Sequence, residues 1–142
     1  MAASFVLDNS VSMAWCFKDQ GGDFVETVLD SLAKGEAFVP GIWPLEVANV
    51  LSRAERRKII KRADSVRFID LLNNLPIEVV QDSQRVFGEI LDLSREHGLS
   101  SYDASYLDLA MRNGLPLVTL DEKLRKVAQR VGVVLFDPKQ YY

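Results

Sequence analysis

Cysteine and histidine are nearly absent from the sequence, which has one residue of each. The single cysteine, Cys16, cannot form an internal disulfide, and this fits a reducing compartment. Because Cys16 lies in the mostly apolar stretch 11–17, we interpret it as a core residue rather than a nucleophile. His97 falls in the last turn of a predicted helix, where a histidine interacts favourably with the helix dipole. We therefore interpret His97 as a capping residue rather than a metal ligand.

Long apolar runs and a strong excess of one charge are also missing. No stretch approaches the roughly 18 consecutive apolar residues of a membrane helix. The first residues show no basic region followed by a long apolar run, so we expect no signal peptide and predict a cytoplasmic protein. The net charge of −3 predicts no overall attraction to nucleic acid or to an anionic membrane. Any such contact must therefore be local.

What the sequence does contain is a regular alternation of short apolar runs and helical patterns. Its 142 residues predict a single domain spanning 1–142. Because unbroken apolar strands alternate with helices, we predict an α/β fold with a mainly parallel, five-stranded sheet flanked by helices. The predicted strands are 4–7, 37–39, 77–80, 117–120 and 133–136. The predicted helices include 44–57, 63–73 and 121–130. A further predicted helix is capped by Asp82 or Ser83, has Val86 and Phe87 on its apolar face and ends at Gly98. Another ends at Asn113 and Gly114.

The helix that ends at Asn113 carries an acidic residue in its first turn, Asp103. At 3.6 residues per turn, Ser105 and Asp108 lie with Ser101 and Arg112 on one polar stripe, which we expect to face solvent. Asp103 lies roughly 200° around the helix from that stripe, so we expect it to point into the protein. A buried lone carboxylate needs a cation, a metal or several hydrogen-bond donors. The structural alternative is a capping box, in which Asp103 bonds back to the backbone N–H of Ser100.

Three further acids stand where predicted strands lead into helices. Asp8 follows the first strand directly, Asp121 follows the strand 117–120, and Glu46 lies in the first turn of helix 44–57. Singly, Asp8 and Asp121 read as N-caps and Glu46 as an exposed acid near a helix N-terminus. In open α/β sheets, however, ligands bind at the carboxyl ends of the strands, where these acids and Asp103 can gather.

Clustered carboxylates repel one another unless a cation neutralises them. Oxygen ligands alone favour a hard cation, Mg²⁺ or Mn²⁺. Such ions activate water and stabilise the transition state of phosphoryl transfer, so phosphodiester hydrolysis is the expected reaction class. Ser10 and Thr119 lie near the same strand ends, and we expect them to orient water or a phosphate oxygen.

One local stretch is strongly basic. Residues 53–62 carry a net charge of +5 in an otherwise acidic chain. We interpret this basic stretch as a phosphate track for nucleic acid, the alternative being a solvated helix end. Its basic residues are Arg53, Arg56, Arg57, Lys58, Lys61 and Arg62.

The chain resembles the PIN-domain ribonucleases, particularly the VapC-like toxins of toxin–antitoxin pairs. The matching pieces are Val6-Leu7-Asp8-Asn9-Ser10, Pro44-Leu45-Glu46-Val47-Ala48-Asn49, and 98–106 continuing to 117–121. The resemblance implies a PIN-like three-layer fold and Mg²⁺-dependent endonuclease action on RNA. It implies that Asp8, Glu46, Asp103 and Asp121 form the acidic metal site, with Ser10 and Thr119 as accessory groups.

The resemblance also implies a homodimer and a small antitoxin partner. Helices 44–57 and 63–73 have apolar residues on more than one side, with Ile59 and Ile60 between them, and could form a groove for an antitoxin segment. A solitary PIN-domain nuclease that processes RNA and a catalytically silent interaction module remain alternatives. A receiver-type phosphoacceptor domain would need paired acids after the first strand and a late lysine. A haloacid-dehalogenase-like phosphatase would need Asp-x-Asp, but position 10 is serine.

Overall fold

The computed structural model describes residues 2–17 and 22–141. Its strands are β1 (Ser4–Leu7), β2 (Glu36–Pro40), β3 (Ile77–Val80) and β4 (Leu117–Val118). Its helices are α1 (Asn9–Cys16), α2 (Gly22–Ser31), α3 (Trp43–Arg56), α4 (Arg62–Asn73), α5 (Leu91–His97), α6 (Ser101–Asn113) and α7 (Glu122–Arg130). A 3-10 turn (Ser83–Arg85) and a π-helical turn (Val86–Ile90) precede α5, and a second 3-10 turn (Pro138–Tyr141) follows α7.

The four strands form one parallel sheet in the order β3-β2-β1-β4. The chain moves outward from β1 to β3 and then returns to the other side of β1. The direction of winding therefore reverses between β1 and β4, which is where open α/β sheets bind ligands. The predicted α/β fold with a parallel sheet flanked by helices is confirmed.

The predicted fifth strand is wrong. Leu135 forms a single parallel bridge with Leu117, supported by backbone hydrogen bonds from Leu117 to Val134 and from Phe136 to Leu117. No ladder extends from this bridge because β4 is only two residues long. The strand predicted over 117–120 ends at Val118, and the Thr119 hydroxyl then accepts the backbone N–H of Asp121.

The core lies around β1 and α6. Phe5, Val6 and Leu7 are fully buried, and Phe5 stacks on Phe136 with ring centroids 4.2 Å apart. Helix α6 packs against β1, β2 and β4 as well as α5. Cys16 is partly buried against this core, as interpreted from the sequence, and burial raises the pKa of its thiol. No helix among the described residues is long and apolar enough to cross a membrane.

The polar stripe predicted for α6 does not face solvent. Residues 104–110 are all buried, including Ser105 and Asp108, whereas Ser101 and Arg112 at the ends of the stripe are exposed. The reason is a counterion that helical periodicity cannot reveal. Arg85 donates two hydrogen bonds of 2.8 Å to the Asp108 carboxylate, from Nε and from Nη2. The Nε atom of Arg112 lies 3.7 Å from the same carboxylate.

The segment before α5 also departs from the prediction of one regular helix. Its first part is the 3-10 turn followed by the π-helical turn, in which one extra residue per turn shifts the direction of the side chains. Phe87, predicted on the apolar face, is 91% exposed, and Val86 is exposed as well. The predicted end is confirmed, since α5 stops at Gly98 with φ 65°.

Helix α3 ends in an unusual turn. Lys58 has φ 59°, and it is the one non-glycine residue with positive φ among the described residues. The left-handed region disfavours side chains that carry a Cβ, and glycine is the usual choice at this place after a helix. The turn is closed by hydrogen bonds from the Lys58 N–H to Glu55 and from the Ile59 N–H to Ala54.

Candidate functional site

Asp8 is fixed at the end of β1 by a set of short hydrogen bonds. Its Oδ2 atom accepts the hydroxyl of Ser10 at 2.5 Å, the hydroxyl of Thr119 at 2.8 Å and the backbone N–H of Ser10 at 3.3 Å. Asp8 is therefore the N-cap of α1, although it is only 5% exposed. Burial raises the pKa of Asp8, and the charge of Asp121 raises it further against the opposing effect of the donors.

Ser10 and Thr119 join the β1 and β4 ends of the site. The Ser10 hydroxyl accepts the backbone N–H of Leu120 at 3.0 Å, and the Thr119 hydroxyl accepts that of Asp121 at 3.0 Å. Each hydroxyl thus donates a hydrogen bond to Asp8 and accepts one from a backbone N–H of the loop that leads into α7. Asp121 in turn caps α7 by accepting the N–H of Leu124 at 3.0 Å.

Glu46 approaches the same edge from the first turn of α3. Its Oε1 atom accepts the hydroxyl of Tyr106 at 2.6 Å. Partial burial raises the pKa of Glu46, the Tyr106 hydrogen bond opposes that rise, and the charges of Asp8 and Asp103 add to it. Glu46 therefore lies close enough to Asp8 and Asp103 for their charges to affect its pKa.

Tyr106 is a site residue that sequence reasoning missed. Its side chain is fully buried in α6, one turn after Asp103, and its hydroxyl also accepts the backbone N–H of Asn9. Burial first, and then the Glu46 charge, raise the pKa of Tyr106 far above its usual value. A buried tyrosine hydroxyl needs a polar partner, and this requirement is the signal that could have identified it. Tyr106 links α6 to α3 and to the start of α1.

Asp103 is only partly buried, so it does not point inward as far as the sequence predicted. The Ser100 hydroxyl accepts the Asp103 backbone N–H at 3.0 Å and so caps α6. The return bond of the predicted capping box, from the Ser100 backbone N–H to the Asp103 carboxylate, is not found among the hydrogen bonds of the described residues. Burial raises the pKa of Asp103 to about 6, and the charges of Asp8 and Asp121 contribute to that rise. A hydrogen bond between the Ser100 side chain and the Asp103 carboxylate and the charge of Lys123 only partly oppose this rise of the pKa.

The structure therefore brings all four sequence-predicted acids to one edge of the sheet. Asp103 interacts electrostatically with Asp8, Glu46 and Asp121, and Asp8 interacts with Glu46 and Asp121. The donor set is entirely oxygen, as a hard divalent cation prefers. Within the described parts of the chain, however, no three His, Cys, Asp or Glu residues are arranged so that they could hold a metal ion.

The basic stretch 53–62 lies at the far end of α3 from Glu46. Its six basic residues are all exposed. Arg56 donates a hydrogen bond of 2.7 Å to the Ser52 hydroxyl within α3. The six cations form an exposed positive surface that begins on the helix carrying Glu46 and continues into the start of α4.

Comparisons with known proteins identify the fold. A family model described as PIN domain matches residues 5–130. None of the curated proteins compared with the chain matches it significantly. Among solved structures, PAE2754 from Pyrobaculum aerophilum is 22% identical, with a TM-score of 0.70, covering 99% of this chain and 93% of its own.

Two further solved structures resemble the chain over most of its length. VapBC2 from Rickettsia felis, bound to a DNA fragment from its promoter, is 17% identical with a TM-score of 0.68, over 94% of this chain and 97% of its own. A toxin–antitoxin complex from Klebsiella pneumoniae is 20% identical with a TM-score of 0.65, over 94% of this chain and 97% of its own. At these identities the likeness shows a shared fold.

Proposed function

The chain belongs to the PIN domain family, and on that basis we propose that it is a metal-dependent endoribonuclease that hydrolyses phosphodiester bonds of RNA. PIN domains are generally nucleases. The observation that carries the proposal is the gathering of Asp8, Glu46, Asp103 and Asp121 at the winding reversal of the sheet. Three of these acids have a pKa raised by burial and by their acidic neighbours. Repulsion within such a cluster destabilises the folded protein unless a cation binds and neutralises the carboxylates.

The residues present fit Mg²⁺ or Mn²⁺ by their chemistry. Asp8, Glu46, Asp103 and Asp121 would hold the ion, and among the residues that the structure describes the charge of Lys123 opposes the raised pKa of Asp103. A bound ion of this kind supplies charge neutralisation and an activated water for attack on phosphorus. The carboxylates are near enough to affect one another but are not preassembled for an ion.

Ser10 and Thr119 act in this proposal by positioning Asp8. The single hydroxyl proton of each is already donated to Asp8 Oδ2. Neither hydroxyl can then donate to a phosphate oxygen without releasing the carboxylate. We therefore assign them to the orientation of Asp8 and to the joining of the β1 and β4 ends.

The direct test is Asp103→Asn, which keeps the size of the side chain and removes one charge. Purified wild type should cleave a mixed RNA pool in Mg²⁺ or Mn²⁺, and the variant should lose activity by about a hundredfold or more, as when a metal ligand is lost. Asp30→Asn is the matched control, because Asp30 is an exposed acid on α2. If the Asp103→Asn variant cleaves RNA as fast as wild type, the four acids are not the catalytic metal site.

Melting separates the nuclease from a catalytically silent module. Added Mg²⁺ should raise the melting temperature of wild type and of Asp30→Asn much more than that of Asp103→Asn, because a ligand stabilises in proportion to its affinity for the native state. The silent module predicts that Mg²⁺ affects all three proteins equally and that none of them cleaves RNA.

We further propose that the protein is the toxin of a toxin–antitoxin pair, acting as a homodimer and inhibited by a small antitoxin. Two of the solved structures it resembles are toxin–antitoxin complexes. The exposed apolar residues of α4 and of the turn before it are available to a protein partner, which supports the proposal. They are Ile59, Val66, Ile69 and Leu71.

Expression alone should arrest growth, and co-expression of a small protein encoded beside it should restore growth and block cleavage. A solitary RNA-processing nuclease would cleave RNA but would have no such neighbour. Sedimentation at micromolar concentration should show a dimer. A monomer under those conditions would contradict the homodimer.

A further inference from the structure

A groove of about 630 Å³ opens beside the four acids. Glu46 forms part of its wall, so the groove and the carboxylate cluster share a residue. The amide side chains of Asn9 and Asn49 also line it, together with apolar side chains that include Leu45. This mixture of amide groups and apolar surface can form hydrogen bonds with a flat heteroaromatic ring and cover its faces.

Tyr102 stands at the edge of this groove, next in sequence to Asp103. It is 56% exposed, and it also borders a second cavity of about 310 Å³ on the side of β3 and the π-helical turn. The Tyr102 side chain is thus a ridge between two cavities rather than part of the core. An aromatic ring exposed in this way is available for stacking.

The groove continues into the positive surface along one face of α3. Positions 46, 49, 53 and 56 are spaced by three or four residues and therefore fall on one stripe of the helix. Along it an acid is followed by an amide and then by two guanidinium groups, Arg53 and Arg56. The exposed cations of 57–62 extend the same surface. Negative charge is expected on a ligand that lies along this path.

We propose that the groove between α3 and Tyr102 holds one unstacked nucleobase of a single-stranded RNA whose phosphates follow the basic stretch 53–62. The proposal rests on the proposed RNA-cleaving function and specifies how the substrate reaches that site. Stacking on an aromatic ring and hydrogen bonds to base edges are open only to bases outside a duplex. The phosphate on one side of the held base then lies near Glu46, where the acids gather.

Binding is measured apart from cleavage, with short dye-labelled single-stranded RNA in EDTA and fluorescence anisotropy as the readout. Tyr102→Ala should weaken binding by about 5- to 150-fold, the range for loss of one base–aromatic stack. Tyr102→Phe keeps the ring and should bind within a few-fold of wild type. Met111→Ala is the matched control, because Met111 is an exposed apolar residue at the other end of α6. Duplex RNA should bind equally to all four proteins.

Cleavage of an RNA pool, with the new ends sequenced, tests the amide. Asn49→Ala should relax the base preference at one position beside the cleaved bond while cleavage continues. If Tyr102→Ala binds single-stranded RNA as tightly as wild type, the proposal is overturned. If the same variant also escapes inhibition by the small partner protein, the groove is a binding site for that partner and not for a base. Another outcome is that Asp103→Asn abolishes cleavage while Tyr102→Ala leaves the cleavage preference as it is in wild type. That result would refute the base-binding groove and leave the proposed nuclease site in place.

Discussion

Asp103 and Asp108 lie on the same helix, and their environments are opposite. Asp108 is 3% exposed and more deeply buried than Asp103, yet two hydrogen bonds from Arg85 and a nearby Arg112 balance its charge. Asp103 is more exposed, but the charges around it are mainly those of other carboxylates. Burial alone therefore does not distinguish a structural acid from a candidate catalytic one.

What distinguishes them is whether the protein supplies the opposite charge. A buried acid with its own arginine is complete within the fold. An acid surrounded by other acids has no counterion within the fold, so it binds a cation or a proton more readily. The predictions that follow test this difference between Asp103 and Asp108.

The largest expected effect on stability is that of Asp108→Asn. Removal of the charge leaves Arg85 with only a weaker contact to Glu89 at 3.8 Å, and breaking a buried pair from one side is strongly destabilising. We expect a loss of about 2–3 kcal/mol, toward the lower end because Arg85 is partly exposed. Chemical denaturation measures it, with Asp92→Asn as control, since Asp92 and Arg95 form an exposed pair worth about 1 kcal/mol or less. Asp103→Asn should be as stable as wild type or more so, and equal losses for Asp103→Asn and Asp108→Asn would refute the comparison.

Tyr106→Phe should weaken binding of Mn²⁺ by about tenfold to a hundredfold, as expected when a group that orients a metal ligand is removed. The hydroxyl holds Glu46 Oε1 and accepts the N–H of Asn9. Electron paramagnetic resonance of free Mn²⁺ measures the affinity without any assay of activity. Tyr102→Phe, on the same helix, is the matched control.

A double-mutant cycle shows whether Tyr106 acts through Glu46. In a Glu46→Ala background, Tyr106→Phe should have almost no further effect on Mn²⁺ affinity. An equal effect in both backgrounds would mean that the tyrosine contributes only to the general structure.

A smaller effect is expected on the pH dependence of stability. The pKa of Asp103 rises from 3.8 to about 6 in the folded protein, so the native state binds its proton more tightly than the unfolded state does. Stability then decreases as the pH rises through this window. Without metal, the stability of Asp103→Asn relative to wild type should increase between about pH 4 and pH 7, by at most about 2 kcal/mol and by less because solvent screens the partly exposed carboxylate. Denaturation at several pH values measures this, and a difference that is flat with pH would contradict the environment described for Asp103.

Most of the sheet could be predicted from local pattern, because β1 and β2 contain short apolar runs bounded by turn residues and β3 is apolar apart from Glu78. The segment 133–136 has the same pattern, but whether it pairs depends on the length of its neighbour β4. The exposure of Phe87 likewise depends on a π-helical turn that no periodic template describes. Local pattern identifies elements, but it does not identify their partners.

The acids of the site were visible in the sequence because each stands next to a strand end or a helix start. Their mutual approach follows from parallel topology, which the sequence also indicates. The pairing of Asp108 with Arg85 joins residues 23 positions apart and has no local signal. Tyr106 was hidden for another reason, since its ring packs as a core residue and only its hydroxyl takes part in the site.

The left-handed turn at Lys58 has a consequence for how this protein would change under selection. A lysine at φ 59° is less stable than glycine by about 1 kcal/mol, so Lys58→Gly should raise the melting temperature. The same substitution removes a cation from the basic stretch and should make RNA binding less sensitive to salt. Selection for heat resistance alone would therefore accumulate a change that selection for RNA binding opposes. Thermostability and salt dependence, measured together on Lys58→Gly and Lys58→Ala, would show whether this turn is a compromise between two evolutionary pressures.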